Sequence, residues 1–190
     1  MNVAIIVEGD DDASVYPVFI RRIRNDVGKI HPVQCGGIDV LERKFVSFLE
    51  IFQKEQFDIS KAIVIRDSDC SASEPLEEKL LQTLTTSGFR RSFLVDFHAT
   101  KCKLETWLLA DERAINQVAV LRGRTTTVRE VDIQFEEYRD ADKLLRKKLS
   151  EVRLPADSKV FAQIAEAADL QRIAERCPHF QQFVDKVRAC

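Results

Sequence analysis

Apolar positions along the chain fall into two alternating patterns. Short continuous runs, Ala4-Ile5-Ile6-Val7 and Ala62-Ile63-Val64-Ile65, have the form of strands buried on both faces of a parallel sheet. Between them lie longer stretches with apolar residues every three or four positions, the spacing of an amphipathic helix. The first helix is expected roughly from Ala13 to Asp26, with Val15, Phe19, Ile20 and Ile23 inward. Asp10 to Asp12 can cap its N-terminus, and Pro17 then falls near the first turn, where proline is tolerated. Ile30 to Cys35 reads as a second strand, with Pro32 marking a strand start or an edge. Gly36-Gly37 makes the turn into a second helix, from Asp39 to about Gln56, on a stripe of Leu41, Phe45, Phe48, Leu49 and Phe52. The third strand, Ala62 to Arg66, ends in Asp67-Ser68-Asp69. A third helix, about Pro75 to Thr86, stops at Gly88. A fourth strand, Ser92 to Phe97, leads through a loop with His98, Thr100, Lys101 and Lys103 to a fourth helix, Leu104 to about Gln117.

Strand and helix alternate strictly over residues 1–118. Right-handed crossovers then give an α/β fold of Rossmann-like type, a mainly parallel sheet flanked by helices. Beyond residue 118 the alternation fails. Arg122 to Arg129 is a polar loop, and Tyr138 to Val152 a basic helix with Lys143, Arg146, Lys147 and Lys148. Pro155 breaks it, and Ser158 to Arg188 divides into two or three short helices with Phe161, Ile164, Leu170, Ile173, Phe180 and Phe183 as core. No linker composition separates this region. Residues 119–190 are therefore expected as a helical C-terminal extension packed on the core, not an independent domain.

Composition narrows the function classes. A length of 190 residues suits one α/β domain with an extension, and 45% apolar with 32% charged residues is ordinary for a globular protein in water. The net charge of -2 gives no global attraction to nucleic acid, so such a partner needs local basic patches. Glu8 interrupts the N-terminal apolar run, leaving it too short for a signal peptide. No stretch approaches the roughly 20 apolar residues of a membrane span. The five cysteines, Cys35, Cys70, Cys102, Cys177 and Cys190, form no C-x-x-C pair. Reduced thiols in the cytoplasm are the expectation, rather than a zinc site or a disulfide framework.

Carboxylates carry the candidate chemistry. Glu8 follows the first strand, and Asp67 and Asp69 follow the third, at the same edge of a parallel sheet, where ligands of open α/β folds sit. Carboxylates that converge there repel one another unless a cation intervenes. Mg²⁺ or Mn²⁺ held by Glu8, Asp67 and Asp69, with Asp12 as a further ligand, satisfies that requirement. An Asp-x-Asp pair suits it, because alternate residues of an extended chain share a direction. Taken singly, Asp67-Ser68-Asp69 also describes a turn, and Asp10 to Asp12 a helix cap. Glu8, directly after four apolar strand residues and before a glycine, has no such alternative. Glu105, in the first turn of the fourth helix, is a further acidic candidate at that edge. Leu104, Trp107, Leu108 and Asp111 share one helical face, which reads as core, and a buried Asp111 needs a partner among the arginines of the tail. Lys101 and Lys103, and Arg122 and Arg124, are the candidate contacts to a phosphate backbone. Acidic neighbours (Glu130, Asp132, Glu136, Glu137) make a solvated face an equal reading for the basic segments after residue 121.

These residues resemble a known family. Val7-Glu8-Gly9-Asp10-Asp11-Asp12 looks like the Glu-Gly-x-x-Asp/Glu signature of the Toprim domain, and Ile65-Arg66-Asp67-Ser68-Asp69 like its Asp-x-Asp motif. That domain is shared by topoisomerases, bacterial primases, small RNA-maturation nucleases and nucleases of the overcoming-lysogenization-defect (OLD) class. Gly36-Gly37 is similar to the glycine turn between the motifs. The family often extends Asp-x-Asp with a third acidic residue; here Ser71 stands at that place, which leaves the number of metal ions open. Glu105-Thr106-Trp107-Leu108-Leu109-Ala110-Asp111 is similar to the Glu-x-Trp-Leu-x-Ala-Asp motif of an uncharacterised bacterial Toprim-like family (DUF4276-like). Cys177-Pro178-His179-Phe180 matches its Cys-Pro-x-Phe pattern.

The resemblance implies a Mg²⁺- or Mn²⁺-dependent nuclease on DNA or RNA, in a bacterial defence or mobile-element setting with an ATPase partner. Glu8, Asp67, Asp69 and Glu105 are its implied catalytic residues, with Glu8 a metal ligand or a general acid/base. Topoisomerase and primase action need modules that this length does not hold. One alternative is a non-catalytic subunit that binds nucleic acid or an ATPase. Another is a receiver-like phosphoacceptor, against which Glu8-Gly9 and the second aspartate argue. The oligomeric state is left open by the sequence.

Overall fold

A computed structural model describes residues 1–55 and 57–189. Two strands form its centre, β1 (Asn2–Val7) and β3 (Ile59–Asp67). Their apolar runs are buried on both faces, with Ala4 to Val7 and Ala62 to Ile65 at most 1% exposed. That is why both runs are continuous rather than alternating. The edge strands are β2 (Ile30–Gln34) and β4 (Leu94–Thr100), giving the order β2-β1-β3-β4, all parallel. Pro32 lies in β2, where a missing amide is tolerated at an edge. The order reverses between β1 and β3. The crevice at their carboxyl ends is therefore the topological switch point at which open α/β sheets bind ligands.

Strand side chains alternate between the two faces. Ala4, Ile6, Ala62 and Val64 pack against α2 (Ile38–Lys54) and α3 (Ser73–Thr86) through Leu41, Phe45, Leu49, Leu80 and Leu84. Val3, Ile5, Val7, Ile63 and Ile65 face α1 (Asp10–Ile23) and everything after β4. That region comprises α4 (Leu104–Leu109), α5 (Glu112–Leu121), α6 (Ala141–Glu151), α7 (Ser158–Ala167), α8 (Leu170–Arg176) and α9 (Pro178–Arg188), with a 3-10 turn over Phe135–Glu137. The C-terminal helices thus share one hydrophobic core with the sheet. No helix among the described residues is long and apolar enough to cross a membrane.

Several local expectations shift. α1 begins at Asp10, not Ala13, so Pro17 lies in its second turn. β4 continues to Thr100, which places His98 and Thr100 in the strand. The end of the second helix at Gln56 falls outside the described residues; α2 reaches Lys54. The single helix expected from Leu104 to Gln117 is two, broken at Asp111, whose backbone (φ -128°, ψ 85°) leaves the helical region. Tertiary contacts hold that break. The buried Asp111 carboxylate accepts the Asp169 amide at 2.8 Å and Arg113 Nε at 3.0 Å. Arg172 Nε stands 3.4 Å from it, the tail arginine that a buried Asp111 required. Next to it Glu112 takes ion pairs from Arg172 and Arg176 at 2.8 and 3.0 Å. The expectation of free thiols is corrected at two positions: Cys70 and Cys102 form a disulfide. Scattered spacing concealed this pair, because it joins two loops that only the sheet brings together.

α9 seals the face of β4. Lys186 donates to the Phe97 carbonyl at 2.7 Å and to Glu77 at 2.6 Å, while Glu77 accepts the Ala99 amide at 2.9 Å. These contacts occupy backbone groups that an edge strand otherwise leaves open. Beneath them the rings of His98 and His179 lie 5.4 Å apart, His98 fully buried, and among the described residues none of their four nitrogens has a hydrogen-bond partner. Burial first, then the Lys186 ammonium and His179, push the His98 imidazole well below its ordinary value; Glu77, 3.8 Å away, does not reverse this. The unfolded imidazole gains a proton near pH 6.5 and the folded one only at lower pH. Stability from this group is complete above that pH and falls on acidification by about 1.4 kcal/mol per pH unit. Urea unfolding at pH 7.5 and 5.5 is expected to show a larger loss in the wild type than in His98→Phe. Equal losses would mean that His98 takes up its proton alike in the folded and unfolded chain.

Candidate metal-binding active site

The two central strands each deliver one acidic group to the switch point, Glu8 after β1 and Asp67 at the end of β3. β1 stops at Val7, and the turn after β2 wraps its end. The Gly36 and Gly37 amides donate to the Glu8 carbonyl at 2.8 and 3.0 Å. Both glycines have positive φ (78° and 131°), which side-chain-bearing residues rarely adopt. The turn leaves the Glu8 side chain free to cross to the neighbouring strand. Its Oε1 accepts the Asp67 amide at 2.8 Å, so Glu8 bridges the ends of β1 and β3. Asp12 turns back over the start of α1, where its Oδ2 accepts the Gly9 amide at 3.0 Å, a capping role that the sequence also suggested. Asp11 is engaged elsewhere, accepting the Ser158 hydroxyl of α7 at 2.5 Å. Glu105 enters from the first turn of α4.

These groups line one open cavity of about 470 Å³, formed by Glu8 to Asp12, Gln34, Gly36, Gly37, Asp67 and Glu105. Its electrostatics are those of too many carboxylates in too little water. Burial raises Glu8, against the pull of the Asp67 amide and Arg66. Burial, then Glu8 and Glu105, push Asp12 up to about 7 despite the Gly9 amide. Burial, then Asp12, Glu105 and Glu8, hold Asp67 well above the carboxylate range. Burial also raises Glu105, with Asp142 and Asp11 adding to it. Among the described residues no three His, Cys, Asp or Glu side chains close into a ready ligand set. The donors are nonetheless all hard oxygens whose mutual repulsion a divalent cation relieves. Mg²⁺ in particular takes only one or two carboxylates and completes its shell with water and phosphate oxygens. The residues fit that ion.

The remaining candidates separate from this cluster. Asp69 does not line the cavity; its side chain is 73% exposed, with Lys103 Nζ 3.8 Å away. Its φ of 48° is the reason, since the left-handed turn breaks the shared direction that an extended Asp-x-Asp has. Lys101 donates to the Ser71 carbonyl at 2.8 Å, and both lysines flank the β3 and β4 loops. Arg122 lies at the end of α5 with its guanidinium on Gln163, and Arg124 follows it, exposed; neither lines the carboxylate cavity. His98 is internal to β4. Sequence reasoning missed Gln34, though as the last residue of β2 it obeys the same strand-end rule. It also missed Tyr16, whose buried hydroxyl shares a 2.6 Å hydrogen bond with Thr100 Oγ1. That packing of α1 on the end of β4 leaves no trace in spacing.

Comparison with known proteins places these features in context. The model of the family described as "Domain of unknown function (DUF4276)" matches residues 40–188. Among solved structures, the chain is similar to the C-terminal region of the Burkholderia pseudomallei OLD protein. That likeness has 16% identity and a TM-score of 0.49 over 98% of this chain and 96% of that one. The comparison with curated proteins gave no match.

Proposed function

From the premise that the chain belongs to the DUF4276 family, we propose that it is a Toprim-type metal-dependent phosphodiesterase, a nuclease acting on DNA or RNA. One observation carries this reading. Glu8 and Asp67 leave separate strands and meet at the switch point, joined by a 2.8 Å hydrogen bond in a cavity shared with Asp12 and Glu105. Half-buried carboxyl groups crowded in this way oppose folding until protons or a cation neutralise them, and clusters of that kind mark functional sites. Glu8 and Asp67 would hold Mg²⁺ or Mn²⁺, with Asp12 and Glu105 beside them. Bound there, the ion supplies Lewis-acid stabilisation of a phosphoryl group and a more acidic water. The chain's own residues do the rest. Glu8 fixes the distance between the strand ends through the Asp67 amide. Gly36 and Gly37 keep the rim low, with nothing within 4 Å of where a side chain would begin, so an extended polyanion can approach. Lys101 and Lys103, on the adjoining loop, offer cations to its phosphates.

The test is incubation of the purified protein with labelled plasmid and RNA in Mg²⁺, Mn²⁺ or EDTA, with and without the ATPase partner that the resemblance implies. Cleavage is expected only with metal, and Glu8→Gln is expected to lower it by at least about 10²-fold. Glutamine can still accept the Asp67 amide, so that loss reports charge rather than collapse. No cleavage under any condition, partner included, would favour a non-catalytic subunit. That second reading draws on one fact: Glu8 and Asp12 each accept a backbone amide, so their carboxylates also serve the fold.

A further inference from the structure

The disulfide Cys70–Cys102 lies at the rim of this site. Cys70 follows Asp69 directly, and Cys102 precedes Lys103 directly. The sheet makes the pairing possible, because the register sets Asp67 opposite Thr100 and the two loops leave side by side. Three hydrogen bonds continue the pairing outward. Ser68 donates its amide to the Thr100 carbonyl at 2.9 Å, Asp69 its amide to the Cys102 carbonyl at 3.0 Å, and Cys102 its amide to Ser68 Oγ at 3.0 Å. The covalent bond follows them. Asp69, Cys70 and Cys102 all have left-handed backbone, with φ of 48°, 64° and 59°. None is a glycine, the residue that adopts this conformation freely. A strained conformation persists only where its surroundings enforce it, and here the crosslink encloses it. In this loop the Asp69 side chain lies outside the cavity, beside Lys103, although its position two residues after Asp67 suits it to the same ion.

We propose that the Cys70–Cys102 bond is a redox latch on the carboxylate site: oxidised, it holds Asp69 out; reduced, it frees Asp69 to join Glu8 and Asp67 around a divalent cation. This rests on the cation reading of the site. The chemistry is thiol–disulfide exchange with a dithiol reductant. A reductant thiolate attacks Cys70 Sγ, the partly exposed sulfur, since Cys102 is fully buried. The Cys70–Cys102 bond breaks, a mixed disulfide forms at Cys70, and Cys102 leaves as a thiolate that takes a proton. The second thiol of the reductant then displaces Cys70. Two electrons and two protons pass to the protein, and the reductant becomes its own disulfide. Hydrogen peroxide reverses the change, two thiols and one peroxide giving the disulfide and two waters.

The test uses the full chain, oxidised with peroxide or reduced with dithiothreitol and then desalted without air. Peptide mass mapping defines the state of Cys70 and Cys102. Amide hydrogen exchange over residues 69–71 is expected to be faster in the reduced form. Mn²⁺ affinity is expected to be about 10-fold higher, as an added carboxylate ligand brings. The Cys70→Ser/Cys102→Ser protein should behave as reduced in both treatments. Asp69→Asn should keep the difference in exchange and lose the difference in affinity. Equal exchange in the two forms, or Cys70 and Cys102 recovered unlinked after oxidation, overturns the latch. Equal Mn²⁺ affinity in the two forms overturns its action on the site. Absence of Mn²⁺ binding in both forms, with exchange still redox-dependent, overturns the cation reading and keeps the latch as the holder of the loop.

Discussion

Asp67→Asn is expected to abolish metal-dependent cleavage, by about 10²–10³-fold or more, while leaving the protein at least as stable as the wild type. The two effects have one cause. Asp67 is the most crowded carboxyl group of the site, raised by burial and then by Asp12, Glu105, Glu8 and Asp69. Asparagine keeps its shape and removes its charge. The Asp67 backbone amide, which Glu8 accepts at 2.8 Å, is untouched, so the two strand ends stay joined. Without metal, loss of that repulsion is expected to raise the melting temperature, by about 2–4 °C for each kcal/mol relieved. With metal the order reverses. Mn²⁺ stabilises the wild type by mass action and adds little to the variant. Thermal melts of both proteins with EDTA and with Mn²⁺, beside the cleavage assay, read this crossing. A variant that melts below the wild type in EDTA would mean that Asp67 is structural.

The second large effect is on stability. Trp107→Ala is expected to cost about 3–5 kcal/mol, the range for deleting a fully buried large aromatic side chain. Trp107 is fully buried, and its ring lies 4.8 Å from Phe180, 5.3 Å from Phe183, 5.8 Å from Tyr16 and 5.9 Å from Phe19. It therefore ties α4 to α1 and α9 at once. No single rearrangement fills the space it would leave. Its indole nitrogen has no hydrogen-bond partner among the described residues, so Trp107→Phe loses volume alone and is expected to cost clearly less than the alanine. Urea denaturation of the three proteins gives the ranking. The same ring stands two residues after Glu105, so the alanine variant should also loosen the carboxylate cavity and weaken Mn²⁺ binding, although Trp107 lines no part of it.

The sequence showed the switch point more clearly than it showed the site's perimeter. A buried parallel strand is written in its own residues, and an acidic residue at its end needs no knowledge of the partner strand to be placed at the carboxyl edge. Glu8 and Asp67 were legible for that reason. Asp69 was less so, because its direction depends on a left-handed turn at Asp69 and Cys70 that no local pattern specifies. The Cys70–Cys102 pair was illegible, being a product of the β3–β4 register. The break at Asp111 was hidden likewise. Residues 104–117 have helical periodicity throughout, and it is Asp169, Arg113 and Arg172, two of them far away in the chain, that hold Asp111 out of the helix. Trp107 and its leucines carried two meanings, motif and core. Their packing supports the second, while Glu105, on the same short helix, turns to the cavity.

The proposed chemistry requires a divalent cation where β1 and β3 end. Crystals grown with Mn²⁺ and measured at the manganese absorption edge test it directly. An anomalous peak is expected at the switch point, with carboxylate oxygens of Glu8 and Asp67 about 2 Å from it and with Asp12 and Glu105 lining the same cavity. Manganese at another place in the molecule, with none between Glu8 and Asp67, would contradict it.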